Sequence, residues 1–251
     1  LDGFCGSGMT GVAAQMCGTP EYKHKVQIES EMKGVVWGAR KAILSDLSPI
    51  ATFLASNYTA PLSQKEYEDA ANQVIEECEK ECAWMEETKH VENQENLFIA
   101  PKGRINYTIW SDVYICPHCG QEITQWKVTL NKRSDNKPEH CYCCGAELSG
   151  RIEKAMTTYF DEYLNKPCVI AKEVPVRINY TYGKKKYEKD LDDNDLKVIQ
   201  KINDIKIPYW FPTNRMCEGG EARRNDDIGL RYVHQFYTKR NLYILSKWYD
   251  E

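Results

Sequence analysis

Two knuckles constrain this chain more than anything else in it. Cys116-Pro117-His118-Cys119-Gly120 is followed, with 21 residues between Cys119 and Cys141, by Cys141-Tyr142-Cys143-Cys144-Gly145. Each is a Cys-x-x-Cys turn closed by glycine, which lets backbone amides point at the thiolate sulfurs. Four thiolates in that spacing suit a tetrahedral zinc ion in a closed structural site. The ligands read from the spacing are Cys116, Cys119, Cys141 and Cys144. His118 and His140 are adjacent but surplus to a complete four-cysteine set, and Cys143 could replace Cys141 or Cys144 only with poor knuckle geometry. The competing readings are two disulfides or four free thiols. With no open coordination position, such a ribbon is a folding staple and a platform, not a catalyst.

The remaining cysteines bear on compartment. There are 11 in 251 residues, and outside the knuckles they are scattered singly, unlike a short, cysteine-dense secreted scaffold. Neither a secretory leader nor an apolar run long enough to span a bilayer is visible, so no membrane helix is expected and a cytoplasmic location is. The Asn-x-Thr sequons at Asn57, Asn106 and Asn179 then read as chance matches. With 33 Lys+Arg against 37 Asp+Glu, a uniformly basic nucleic-acid binder is disfavoured, but a local basic face is not. Cys78 and Cys82 lie four apart on one helix face, where core packing is the simpler reading.

Along the chain, residues 1–15 read as a strand end, a glycine loop and a helix. Thr19 to Gly34 is charged, without an apolar stripe, and reads as an insertion. Ala42-Ile43-Leu44 is a short strand ending in Ser45-Asp46-Leu47-Ser48-Pro49, and Ile50 to Tyr58 reads as a buried helix with Pro49 in its first turn. Ser63 and Glu66 form a capping-box pattern ahead of a helix over about 64–87 whose stripe runs from Tyr67 through Cys78 and Cys82 to Met85. Thr88 to Gly103 reads as a polar linker. Arg104-Ile105-Asn106-Tyr107-Thr108 recurs at Arg177 to Thr181; both copies read as strands that would pair at the base of the cysteine module. A helix is expected within 190–205, an extended aromatic segment at Pro208 to Pro212, a charged loop at Gly219 to Gly229, and a last helix capped by Thr238 with a stripe of Leu242, Leu245, Trp248 and Tyr249.

Gly6-Ser7-Gly8-Met9-Thr10-Gly11 follows a strand end and opens a helix, the context that a nucleotide-type glycine loop requires. The acid ending the next strand, Asp46, is positioned to accept hydrogen bonds from ribose hydroxyls. Strand, glycine loop, helix, strand, acid and helix together indicate an α/β, Rossmann-like core.

Residues Asp2-Gly3-Phe4-Cys5-Gly6-Ser7-Gly8-Met9-Thr10 resemble the Asp-Pro-Phe-x-Gly-Ser-Gly-Thr-Thr cofactor motif of amino-group DNA methyltransferases, with Gly3 for the usual Pro and Met9 for the usual Thr. Ser45 to Pro49 is similar to that family's next motif. A zinc ribbon after these motifs, and the segment Val233 to Leu242, resemble the adenine-specific DNA methylases that contain a Zn-ribbon. The resemblance implies S-adenosylmethionine as cofactor, held by Asp2, Phe4, Cys5, Gly6, Ser7, Gly8, Thr10, Gly11, Asp46 and Leu47, with structural zinc on the four cysteines. It implies methyl transfer to an exocyclic base amine of DNA, adenine N6 being the expected acceptor.

The family's catalytic Asp/Asn/Ser-Pro-Pro-Tyr/Phe motif has no counterpart, since no Pro-Pro pair occurs in the chain. Ile207 to Pro212 lacks the polar first residue and the adjacent prolines. No catalytic residue is therefore assigned, and the chain is expected to be a fragment, cut at both ends and inactive alone. The expected organisation is a partial cofactor-binding core with a long helix over 1–103, a zinc-ribbon insertion with flanking strands over 104–181, and an α/β remainder over 182–251. Expected DNA contacts are Lys132 and Arg133 in the ribbon loop, Lys184, Lys185 and Lys186, and Arg240, with Lys127, Arg223, Arg224 and Lys239 as further candidates and Tyr209 and Trp210 as stacking rings. Three alternatives stay open: an RNA methyltransferase, a non-catalytic zinc-ribbon nucleic-acid-binding module on a Rossmann scaffold, and a dinucleotide oxidoreductase, the last disfavoured by the Phe-Cys-Gly-Ser-Gly context.

Overall fold

A computed structural model describes residues 1–90, 101–130 and 139–251. They form two compact units, 1–71 and 72–251, of mixed α/β character. Among the described residues no helix is long and apolar enough to cross a membrane.

In the first unit the chain enters beside Leu44. Asp2 and Leu44 form a parallel bridge, with Asp2 N–H donating to Ile43 O at 2.9 Å and Ser45 N–H to Asp2 O at 2.8 Å. Helices α1 (Met9–Met16), α2 (Tyr22–Glu31) and α3 (Pro49–Thr59) follow, and α4 (Gln64–Cys82) begins here. Small residues let these pieces approach closely. A Cβ added to Gly11 would lie 2.7 Å from both the Leu44 and Thr59 side chains, so α1 rests against the bridge and α3 at a separation that only glycine permits. The charged 19–34 segment holds α2, which buries no residue. The expectation of a buried helix at 50–58 is corrected: α3 buries only Ala55, while Ile50, Phe53, Leu54 and Tyr58 are exposed. Pairing in this unit stops at one bridge, which supplies no sheet face for those side chains to cover.

In the second unit, the end of α4 passes through a 3₁₀ turn (Ala83–Glu86) into β1 (Glu87–Lys89), which pairs with β2 (Lys102–Ile115). The supposed linker at 88–103 thus begins and ends as paired strand; its middle, 91–100, lies outside the described residues. After β2 come β3 (Glu122–Thr124), α5 (Gln125–Leu130), β4 (Glu139–His140), β5 (Glu147–Leu148), β6 (Met156–Asp161), β7 (Lys166–Ala171), β8 (Glu173–Tyr182) and β9 (Lys185–Asp190). The main sheet is antiparallel, in order β1-β2-β8-β9, with β3 pairing to the far end of β2. The two Arg-Ile-Asn-Tyr-Thr copies face each other in it as expected: Arg104 is opposite Thr181 and Ile105 opposite Tyr180, and a bulge at Asn106 shifts Tyr107 to Asn179. The bulged Asn106 amide donates to Asn179 Oδ1 at 2.8 Å and Thr181 Oγ1 at 3.0 Å.

The chain ends with α6 (Asp193–Asp204), α7 (Gly220–Asp226), a 3₁₀ turn (Val233–Phe236) and α8 (Lys239–Asp250). Asp192 and Asp195 cap α6 reciprocally, and Thr238 Oγ1 accepts from Asn241 N–H at 3.4 Å at the start of α8. The expected charged loop at 219–229 contains α7, a short helix tied down by Arg223, which pairs with Glu218 at 2.9 Å and Asp226 at 3.6 Å. One core joins the end of α4, α6, α8 and the aromatic segment through Cys82, Met85, Ile202, Ile207, Phe211, Leu242 and Tyr243. Cys78 and Cys82 are buried thiols, in keeping with a packing role. The stripe expected on α8 is displaced: Leu242, Tyr243 and Ser246 are buried, whereas Leu245, Trp248 and Tyr249 are exposed. Tyr243 turns inward because its hydroxyl has a buried task, donating to Glu81.

Candidate functional site

β2 runs from the main sheet directly into the first knuckle, and the β4–β5 hairpin carries the second. In each, the glycine after the second cysteine adopts a left-handed conformation, φ 69° at Gly120 and 76° at Gly145, and its N–H returns to the carbonyl of the first cysteine at 2.9 and 2.8 Å. This closed turn explains why glycine follows each Cys-x-x-Cys pair. The four sulfurs of Cys116, Cys119, Cys141 and Cys144 all lie within 4.8 Å of one another. Cys116 to Cys144 and Cys119 to Cys141 are 3.9 Å apart, far outside disulfide range. A tetrahedral ion with bonds of about 2.3 Å to sulfur has edges of about 3.8 Å, so the cluster could hold a metal such as zinc.

The electrostatics divide the cluster: against the Gln121 amide, burial and the neighbouring cysteines push the Cys119 thiol up to about 12, whereas the thiols of Cys141 and Cys116 are lowered. Burial raises the pKa of the Cys141 thiol, but the amides of Cys144 and Cys143 outweigh it and bring the thiol down to about 6. The Cys143 N–H lies 3.4 Å from Cys141 Sγ. The Cys116 thiol is lowered first by the Cys119 amide. Amides aimed at sulfur stabilise the thiolate form that a metal requires. Cys143 and both histidines stand outside the cluster. A small core of Ile123, Val128 and Leu148 packs behind Cys116 and Cys141.

The glycine loop of the first unit is held by two carboxylates. Asp2 accepts from Phe4 N–H at 3.1 Å and from the Thr10 hydroxyl at 2.6 Å. Asp46 accepts from Ser48 N–H at 2.9 Å and from Gly6 N–H at 3.0 Å. These donors hold both carboxyls below the ordinary value, the Thr10 hydroxyl leading at Asp2 and the Ser48 amide at Asp46. The two segments singled out in the sequence, 2–11 and 45–49, therefore lie side by side. The glycines differ in role. Gly8, at φ 84°, would place a Cβ 2.6 Å from Ala55 Cα, so it permits close packing. Gly6, at φ 50°, has open space over it. Cys5 is buried, and Phe4, Ser7, Thr10 and Leu47 are exposed.

The basic candidates fall in different places. Lys184, Lys185 and Lys186 are exposed around the β8–β9 turn. Lys127 is exposed and stands 5.7 Å over the Tyr142 ring. Lys132 and Arg133 lie outside the described residues. Arg240 lines a cavity beside β2. Tyr209 is no free stacking ring, because its hydroxyl donates to Glu81 at 2.7 Å; Trp210 is exposed.

One buried pair escaped the sequence reading. His234 Nε2 lies 2.8 Å from Asp161 Oδ2, both residues being buried, and Asp161 Oδ1 accepts from the Tyr163 and Leu164 amides, each at 3.1 Å. The partners are far apart in sequence and belong to no spacing pattern, so nothing local announces them. No protein-family model, curated protein or solved structure matches the chain.

Proposed function

We propose that this chain carries the cofactor-binding loop and zinc ribbon of a Rossmann-like, S-adenosylmethionine-dependent methyltransferase acting on an exocyclic amine of DNA, adenine N6 first. The observation that carries the reading is the adjacency of the two motif-like segments, with Gly6 N–H bonded to Asp46 at 3.0 Å beneath the open face of a glycine loop. A Cβ added at Gly6 would meet nothing within 4 Å, so nothing near it blocks a ligand from the backbone. Asp2 would keep the loop in shape through Phe4 and Thr10, and Asp46 would accept from the ribose. When bound, S-adenosylmethionine supplies the methyl group. Zinc on Cys116, Cys119, Cys141 and Cys144 would fold the ribbon and present its exposed basic and aromatic side chains to nucleic acid.

The catalytic Pro-Pro motif is absent from these 251 residues, so the chain alone is expected to bind the cofactor without transferring its methyl group. Calorimetry with S-adenosylmethionine tests the reading: a saturable heat is expected, lost on Asp46→Ala. Robust methyl transfer to DNA by this chain would overturn the assigned division of labour.

A second reading, a zinc-ribbon nucleic-acid-binding module on a non-catalytic scaffold, is favoured by the engagement of both Asp2 and Asp46 with the loop itself. It predicts DNA retention with no cofactor heat, so the same titration separates the two.

A further inference from the structure

A cavity of about 560 Å³ lies between β2, the residues just after α7 and the first turn of α8. Its wall includes Arg240 and Lys239, together with Tyr107, Thr108, Phe236 and Tyr237. We infer that this cavity binds a nucleotide unit, with the Arg240 guanidinium on its phosphate and the exposed rings against its base.

An arginine has five N–H donors in a planar fork and stays charged in proteins. Among the described residues Arg240 makes one hydrogen bond, Nη1 to Thr108 Oγ1 at 3.3 Å, and its Nε is buried without an acceptor. No carboxylate among the described residues forms an ion pair with it, and burial lowers its pKa while the charges of Glu86 and Asp195 oppose that shift. A guanidinium withdrawn from water without an anion is costly, and an anion in the adjoining space would offset that cost through the terminal nitrogens, the enclosed Nε lying out of its reach. Helix polarity adds to the demand. Lys239 and Arg240 are two consecutive cations in the first turn of α8, where no acidic residue is present and where the helix dipole favours negative charge. Lys239 spends one donor on Asn203 O at 2.8 Å and keeps two.

The cavity wall also contains Glu86 and Glu173, which weigh against an anion. Glu86 is held by Arg104 at 3.2 Å, so its charge is partly met.

The rings narrow the class of anion. Tyr107, Phe236 and Tyr237 line the same cavity and are 52%, 40% and 45% exposed. Aromatic faces beside a cation at a phosphate are what a base stacked next to its phosphate requires. The inference rests on the nucleic-acid reading above for choosing a nucleotide over other phosphate esters, and gives that reading a specific site.

The test titrates the whole chain with deoxyadenosine 5′-monophosphate and, separately, inorganic phosphate, for wild type, Arg240→Met and Arg240→Lys. Melting is recorded without ligand, and a short DNA duplex is titrated in parallel. Arg240→Met should weaken the nucleotide roughly tenfold or more, with Arg240→Lys between. Without ligand, Arg240→Met should melt no lower than wild type, because an uncompensated charge has been removed; a purely structural arginine would give the reverse. Unchanged nucleotide affinity in Arg240→Met, or none in wild type, overturns the site. Equal affinity for inorganic phosphate overturns the nucleotide assignment. Failure of wild type to bind duplex, with nucleotide binding still Arg240-dependent, overturns the DNA reading and leaves the site standing.

Discussion

Gly8 shows how one residue can be required by geometry alone. Its φ of 84° and the 2.6 Å separation between its would-be Cβ and Ala55 Cα leave no room for a side chain. Gly8→Ala should cost about 1–3 kcal/mol, read as weakened amide protection across residues 1–71 in hydrogen exchange. Asp161 is constrained by chemistry instead. Burial pushes its pKa up, but the hydrogen bond with His234 and the amides of Leu164 and Tyr163 outweigh it and hold the carboxyl below its usual 3.8. A carboxylate whose folded pKa is depressed stabilises the fold above its unfolded pKa and loses that contribution as pH falls through the folded value. Urea midpoints should therefore decline below about pH 4, less steeply in Asp161→Asn. That variant should also lose about 1–3 kcal/mol at neutral pH, since one carbonyl oxygen replaces two carboxylate oxygens that accept from the Tyr163 and Leu164 amides and meet His234. An Asp161→Asn variant with unchanged stability at both pH values would refute this account.

At the scale of elements, the readable parts were those whose partners are close in sequence. A Cys-x-x-Cys-Gly turn closes on itself, so the four cysteines that cluster could be read from spacing, and Gly120 and Gly145 fold as that turn demands. Removing the metal with a chelator, or substituting Cys144→Ser, should loosen 116–148 while leaving β2–β8 pairing intact, because Ile123, Val128 and Leu148 alone form too small a core. Loss of amide protection across the whole main sheet on chelation would argue against a local staple. For α6 a helix was legible within 190–205, and the structure adds the reciprocal cap of Asp192 and Asp195. Asp192→Ala should cost about 1 kcal/mol in a denaturation midpoint. The misreadings share one cause. Periodicity reports a helix but not which face will find a neighbour, so α3 was expected buried and α8 rotated, and α7 was overlooked because charges that pair within a short segment look like loop residues.

Over the whole molecule, burial is unequal. Of the buried apolar residues, only Cys5 and Ala55 fall within 1–71, whereas three clusters hold 72–251 together. Proteolysis and hydrogen exchange should accordingly open 1–71 first, well before β2 and β8, since local stability follows buried apolar contact; cofactor binding to the glycine loop would narrow the gap. The sequence by itself determined the four-cysteine cluster that could hold a metal, the glycine loop with its following acid, the strand character of the two Arg-Ile-Asn-Tyr-Thr copies and most helix starts, because turns, caps and strand propensity are set by neighbouring residues. Only the tertiary structure decided that Asp161 meets His234, that Asp2 and Asp46 brace their own loop, and that Arg240 faces a cavity with its charge unmet. Those depend on which distant segments share a burial site, and the free energy of withdrawing a charge from water is fixed by whatever the fold brings beside it.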